Sequence, residues 1–227
     1  MINFALRIYL LHIMDGTALL LLEILCEELW GEHGELCKKL TPQEYHSLMK
    51  LATKQTVAGM VAQCVTGKRL KTELSPSDAA QTLLYLQRIQ QQNTLLNSEL
   101  VALAKLLDTQ KIKFIVLKGQ TIAAHYPNPL SRTPGDIDFY VPQEDFKKAA
   151  DVLEKEWNVN FCGSDSTHHL EFKHNKVLFE MHFEILELFS QKQKRRFDNI
   201  VASSPIAYTY INEYKIPTLD PVVNIAY

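Results

Sequence analysis

Cysteine is scarce in this chain: Cys26, Cys37, Cys64 and Cys162 are the only four. They are widely spaced and form no Cys-x-x-Cys pair, which argues against both a zinc site and a disulfide framework. A reducing cytoplasm is the setting this pattern predicts. An excess of one charge is also lacking, with 24 Lys plus Arg against 26 Asp plus Glu. No global field therefore recruits nucleic acid, although a local basic groove is compatible with the composition. Long apolar runs are missing too. Ala18 to Leu25 falls far short of the roughly 20 residues that a spanning helix needs. The segment Met1 to Met14 is apolar but is interrupted by Arg7 and His12 and has no small-residue cleavage site, which argues against a signal peptide. His168, His169 and His174 lack zinc spacing and are expected at the surface. Asp165, within Gly163-Ser164-Asp165-Ser166, is expected to form a turn.

What the chain has is enough apolar matter for a real core, with 46% hydrophobic residues over 227 positions. It can form one large domain or two small ones. Residues 1–110 read as a helical N-terminal region. Thr41-Pro42-Gln43-Glu44 is a capping box with proline at the first helical position, and it predicts a helix reaching about Gly67. Ser75-Pro76-Ser77-Asp78 repeats the device. Leu96, Leu100, Leu103 and Leu107 then fall at helical spacing, so this second helix reaches about Asp108. The stretch Gln87 to Gln92 reads as a solvated helix face, with a partner-binding role as the lesser alternative.

From residue 111 to 227 the pattern changes to short strands alternating with helices, and the domain boundary is expected at that change. Ile112 to Leu117 reads as a buried strand, Gly119 to Tyr126 as a helix stopped by Pro127, and Asp136 to Val141 as a second strand. Pro142 precedes a helix whose buried stripe is Phe146, Ala149, Ala150, Leu153 and Trp157. His168 to Lys173 and Val177 to Ile185, separated by His174-Asn175-Lys176, read as a hairpin. The final Leu219-Asp220-Pro221 begins a helix that stops after fewer than two turns, which predicts a C-terminal truncation.

The chemistry is concentrated between the first strand and this hairpin. Side chains alternate along a strand and rise about 3.3 Å per residue, so Asp136 and Asp138 project the same way about 6.6 Å apart. Ile137, Phe139 and Val141 point to the other face, toward a core. Glu180 and His182 share one face of the hairpin's second strand. If that strand lies beside the Asp136 strand in matching orientation, Glu180 becomes a third carboxylate. Such an all-oxygen set suits magnesium, which takes one or two protein carboxylates and completes its shell with water and substrate phosphate. Two aspartates at i and i+2 can bridge a pair of ions clamping an in-line phosphoryl displacement. Lys118-Gly119-Gln120, at a strand-to-helix junction, offers backbone N–H groups and a cation to a triphosphate. Arg132 can contact that triphosphate or aim its loop. His182 can hydrogen-bond a ligand or a phosphate, or serve the structure alone. Glu184 is expected to be solvated.

Leu117-Lys118-Gly119, Arg132, Gly135-Asp136-Ile137-Asp138 and Glu180-Met181-His182 together resemble the uncharacterised nucleotidyltransferase family of the polymerase-beta-like nucleotidyltransferase superfamily. Leu19 to Trp30 and Leu48-Met49-Lys50-Leu51-Ala52 resemble its helical lead-in. The resemblance covers most of the chain from about Gly16. It implies an α+β fold, with a helical N-terminal region followed by a mixed β-sheet flanked by helices. It also implies two Mg2+ ions and transfer of a nucleoside monophosphate from an NTP, ATP first, to an acceptor hydroxyl with release of pyrophosphate. By that resemblance Asp136 and Asp138 are metal ligands and Glu180 is the third acid. The chain departs from the broader superfamily in carrying Gly119-Gln120 where Gly-Ser or Gly-Gly is usual, and Glu where the third acid is commonly Asp.

Near-neutral charge favours a small-molecule, sugar or protein hydroxyl over a polynucleotide as acceptor. A membrane partner is not expected. A catalytically weak nucleotide-binding or protein-interaction module, docking a partner through the N-terminal helices, is the alternative reading. A metal-dependent phosphohydrolase is a third.

Overall fold

The computed structural model describes residues 15–30, 36–67, 69–161, 169–186 and 190–226. The segment Met1 to Met14, Cys162, Asp165 and His168 lie outside the described residues. The chain divides into two compact units, one of residues 1–92 with 126–133 and one of residues 93–125 with 134–227.

The first unit contains α1 (Gly16–Trp30), β1 (Leu36–Leu40), α2 (Pro42–Lys54), α3 (Ala58–Thr66), β2 (Leu70–Thr72) and the opening turns of α4 (Pro76–Thr109). Its core gathers Leu20, Leu21 and Ile24 of α1 with Leu48, Ala52, Ala58, Val61 and Cys64. The expectation of an entirely helical region is corrected by β1 and β2, which pair in parallel with Leu36 opposite Leu70 and Leu40 opposite Thr72. Strands of five and three residues are too short to imprint an alternation on the sequence.

The single helix expected from Thr41 to Gly67 is two. Thr56 adopts φ 57°, in the left-handed region that ends helices, and α3 restarts at Ala58. The break lets α2 and α3 turn Leu48, Ala52, Val61 and Cys64 into one core. The start of α2 is capped as the sequence dictates. Thr41 Oγ1 accepts from the Glu44 N–H at 3.3 Å, and Glu44 Oε2 accepts from the Thr41 N–H at 3.0 Å. Ser75 Oγ does the same for α4, accepting from the Asp78 N–H at 3.1 Å.

The second unit is built on a six-stranded mixed sheet. Along the chain come the rest of α4, β3 (Ile115–Val116), α5 (Gln120–Ala123), β4 (Ile137–Tyr140), α6 (Gln143–Trp157), β5 (His169–His174) and β6 (Val177–His182). They are followed by α7 (Gln191–Ser203), β7 (Ala207–Ile211), β8 (Tyr214–Thr218) and α8 (Pro221–Ala226). The strands lie in the order β5-β6-β4-β3-β8-β7. β4 runs parallel to β6 and β3 parallel to β8, while the other neighbours are antiparallel.

On one face Leu96, Leu100, Leu103 and Leu107 of α4 and Ala149 and Leu153 of α6 cover Ile137, Phe139, Phe179 and Met181. This packing explains why the units part between Gln92 and Asn93, inside α4, and not at residue 110. The change of pattern near 110 marks the end of a helix whose last turns already belong to the sheet's core. On the opposite face Leu117, Leu219 and Val223 gather with Ile115, Tyr140, Phe197 and Val201.

Several expected elements are shorter than their apolar runs. The strand expected over Ile112 to Leu117 pairs only at Ile115–Val116, and the helix expected over Gly119 to Tyr126 spans only Gln120–Ala123. The hairpin turn is the two residues Asn175 and Lys176, at φ 45° and 69°, the pattern of a type I′ turn. His174 therefore belongs to β5, and β6 ends at His182, not at Ile185. Asp220 Oδ1 accepts from the Val222 N–H at 2.9 Å and caps α8, as the Asp-Pro pair predicts.

Candidate functional site

The site grows out of β4, the strand between β6 and β3. Ile137 and Phe139 are 2% and 0% exposed on the core face, so the period of two turns Asp138 to the other face. Parallel pairing sets Asp138 directly opposite Glu180 and Tyr140 opposite His182. Asp136 immediately precedes the strand, and carboxylate oxygens of Asp136, Asp138 and Glu180 all lie within 4.8 Å of one another.

Asp138 is the buried member at 3% exposure, whereas Asp136 and Glu180 are partly open to solvent. Burial pushes the Asp138 carboxyl up. The His182 hydrogen bond and the Lys118 and His182 charges outweigh that and hold it below the usual carboxylate range. Its oxygens are then acceptors only, so His182 Nε2–H donates to Asp138 Oδ1 at 3.1 Å. Lys118 Nζ stands 3.5 Å from Asp138 Oδ2. Glu180 moves the other way, pushed up first by burial and then by the negative charges of Asp138 and Asp136. His182 Nε2 is also 3.4 Å from Glu180 Oε2, so this imidazole serves both acids.

The turn at the end of β3 is held against the same acids. The Leu117 N–H donates to the Asp138 carbonyl at 2.9 Å, which carries Lys118 and Gly119 to the acid-bearing strand. Lys118 and Gly119 both have positive φ, 33° and 56°. At Gly119 ψ is −119°, a conformation that favours glycine. The Thr121 hydroxyl closes the turn by donating to the Lys118 carbonyl at 2.8 Å.

Gln120 does not take the place of the missing serine with its side chain. That side chain is buried, and its Nε2–H donates to Asn97 Oδ1 of α4 at 2.6 Å. Its Oε1 is buried without a hydrogen-bond partner. With α5 only four residues long, few peptide dipoles align at this turn. Arg132 belongs to the first unit, where its Nη1–H donates to the Thr133 carbonyl at 3.2 Å.

Two expectations about histidines are corrected. His174 is half-buried, stacked on Trp157 with ring centroids 4.1 Å apart, and its Nδ1 lies 2.6 Å from Glu99 Oε2. It ties the hairpin to α4 and α6. His169 is also half-buried and stands opposite His182 across the hairpin. His169, Glu180 and His182 form a second group whose ligand atoms lie within 4.8 Å of one another. The signal for His169 was in the sequence: a two-residue turn at Asn175-Lys176 fixes a register that pairs His169 with His182. Glu184, expected in solvent, is half-buried and paired with Lys194.

The acid set suits a hard divalent cation. Three carboxyl groups converge, and the rise in Glu180 reflects burial first and then repulsion from Asp138 and Asp136, the part that a bound cation would relieve.

A nucleotidyltransferase is the class of protein to which this α+β fold and acid cluster correspond. The chain belongs to the uncharacterised nucleotidyltransferase family, whose model matches residues 41–227. A comparison with curated proteins yields no match. Among solved structures the chain is similar to a lincosamide antibiotic adenylyltransferase in its lincomycin-bound form, at 15% identity and a TM-score of 0.41, over 57% of this chain and 84% of that one. It is also similar to an antigenic nucleotidyltransferase-like protein from Paracoccidioides brasiliensis, at 18% identity and a TM-score of 0.39, over 56% of this chain and 61% of that one. No helix among the described residues is long and apolar enough to cross a membrane.

Proposed function

We propose that the protein transfers a nucleoside monophosphate from an NTP, with ATP the first to test, to an acceptor hydroxyl and releases pyrophosphate. The observation that carries this reading is the register of β4 and β6, which brings Glu180 opposite Asp138 with Asp136 alongside. Asp136, Asp138 and Glu180 would hold Mg2+, two ions in this reading. Bound there, the metal would supply Lewis-acid stabilisation of charge on the phosphates and a lowered pKa for the acceptor hydroxyl.

The chain's own residues do the rest. His182 donates to Asp138 and fixes the orientation of that carboxylate. Lys118, half-exposed beside it, offers its ammonium to the β- and γ-phosphates. The turn at Gly119 and Gln120 brings main-chain N–H groups to the same edge. Gln120 acts through its backbone and holds the turn to α4 through Asn97. The acceptor is a hydroxyl of a small molecule, sugar or protein, since a net charge of −2 provides no long-range attraction for a polynucleotide.

The test is pyrophosphate release and metal-dependent NTP binding, measured for the wild type and Asp138→Asn. The variant is expected to lose turnover by about a hundred- to a thousandfold, as for removal of a group acting directly on transition-state charge, with its thermal unfolding retained. Equal metal-dependent NTP binding in the wild type and in the double variant Asp136→Asn, Asp138→Asn would overturn the proposal. Release of inorganic phosphate in place of pyrophosphate would identify a hydrolase.

A further inference from the structure

The hairpin β5–β6 places two imidazoles and a carboxylate together. Antiparallel pairing sets His169 opposite His182, and Glu180 lies two residues before His182 on the same face. Each of the three offers a ligand atom within 4.8 Å of the others, and each is partly open to solvent, so an ion can reach them. The His169 and His182 rings are 5.2 Å apart, centroid to centroid.

His169 has a further feature found at metal-bound imidazoles: its Nε2 lies 3.1 Å from Glu171 Oε1. A carboxylate on one ring nitrogen fixes the ring and raises the basicity of the other. Glu171 stands opposite Glu180 in the same ladder. Two nitrogens and one carboxylate with an open position suit Zn2+ and related first-row ions, whereas Mg2+ prefers oxygen throughout.

We propose that His169, Glu180 and His182 form a second divalent-cation site, selective for Zn2+ over Mg2+. It shares Glu180 with the Asp136 and Asp138 cluster. Glu180 cannot serve both ions fully, so occupation of the imidazole site weakens Mg2+ at the acid cluster. By linkage, Mg2+ weakens Zn2+ by the same factor.

The experiment uses the full chain stripped of metal, with no nucleotide present. Zn2+ is titrated in competition with a chromophoric chelator, and Co2+ is used separately to read the ligand set from its visible absorption. One Zn2+ per chain is expected. Glu171→Gln should weaken Zn2+ by about ten- to a hundredfold, the usual effect of losing a carboxylate behind a ligating histidine, and His169→Asn by at least that much. The Co2+ spectrum should change in both variants. Mg2+ affinity, measured by calorimetry, should fall when Zn2+ is bound to the wild type and should not respond to Zn2+ in His169→Asn.

Wild-type Zn2+ affinity and an unaltered Co2+ spectrum in both variants would overturn the site. So would loss of Zn2+ binding in Asp136→Asn but not in His169→Asn, which would seat the ion among the acids. Glu171→Gln lies on a partly exposed side chain, so it reports even if His169→Asn does not fold. Because no NTP is involved, failure here leaves the nucleotidyl-transfer reading standing, and failure of that reading leaves this site standing.

Discussion

Asp138 and Glu180 face each other across two strands, yet burial and charge move them in opposite directions. The difference is their partners. Asp138 has Lys118 and the His182 hydrogen bond, whereas Glu180 feels the charges of Asp138 and Asp136. A protonated Glu180 cannot ligate a cation, so Mg2+ affinity should rise as pH climbs through and above the ordinary glutamate range. Calorimetric titration at several pH values checks this, and a pH-independent affinity would remove Glu180 from the ligand set. Gly119 supplies a second prediction at this scale. Its φ of 56° and ψ of −119° form a combination that a β-carbon opposes, so Gly119→Ala should cost about 1–3 kcal/mol in urea unfolding. Gly135, with no positive φ and nothing within 4 Å of an added Cβ, should accept alanine with little change in stability.

Elements show where the sequence could be read and where it could not. The long amphipathic α6, the leucine-spaced end of α4 and the capping boxes at Thr41 and Ser75 were legible, because each carries its signal within a few residues. The alternation Ile137, Phe139, Val141 against Asp136, Asp138 gave the orientation of the acids in the same local way. What was not legible depends on partners distant in the chain. β1 and β2 exist only as a pair. The break at Thr56 likewise answers a packing demand and has no glycine or proline to announce it. His169 was missed because its meaning rests on a register that a turn two residues long decides. Gly59 in α3 is another position whose role emerges only in three dimensions. A β-carbon there would collide with the Ser131 carbonyl oxygen and lie 3.1 Å from Ile89 Cδ1. Alanine normally favours a helix, but here backbone must move, so Gly59→Ala should destabilise by about 1–3 kcal/mol in place of the usual gain. Denaturant unfolding decides between the two signs.

For the molecule as a whole, a net charge of −2 means that global self-repulsion near neutral pH is small. Individual buried carboxylates therefore dominate how stability depends on pH. Glu28, 6% exposed in the first unit, is pushed up by burial, and the Arg69 guanidinium offsets this only in part. A carboxyl whose folded-state pKa exceeds its unfolded value binds more protons in the native state between those two values. Stability must then fall as pH rises across that window, beginning at the ordinary glutamate value of 4.5. Glu180 adds the same sign from the second unit, and a bound cation would remove its share. Asp138 has the opposite sign, since its folded pKa is depressed. Its contribution is complete above the ordinary value of 3.8 and is lost as pH falls below that value. Glu28→Gln keeps an acceptor oxygen for Arg69, 2.7 Å away in the native pair, and removes the titration. The metal-free variant should therefore lose less stability than the wild type between pH 4.5 and neutrality, as measured by urea unfolding at matched ionic strength. Parallel pH profiles for the two proteins would show that Arg69 fully offsets the burial of Glu28 and that the pH dependence arises elsewhere.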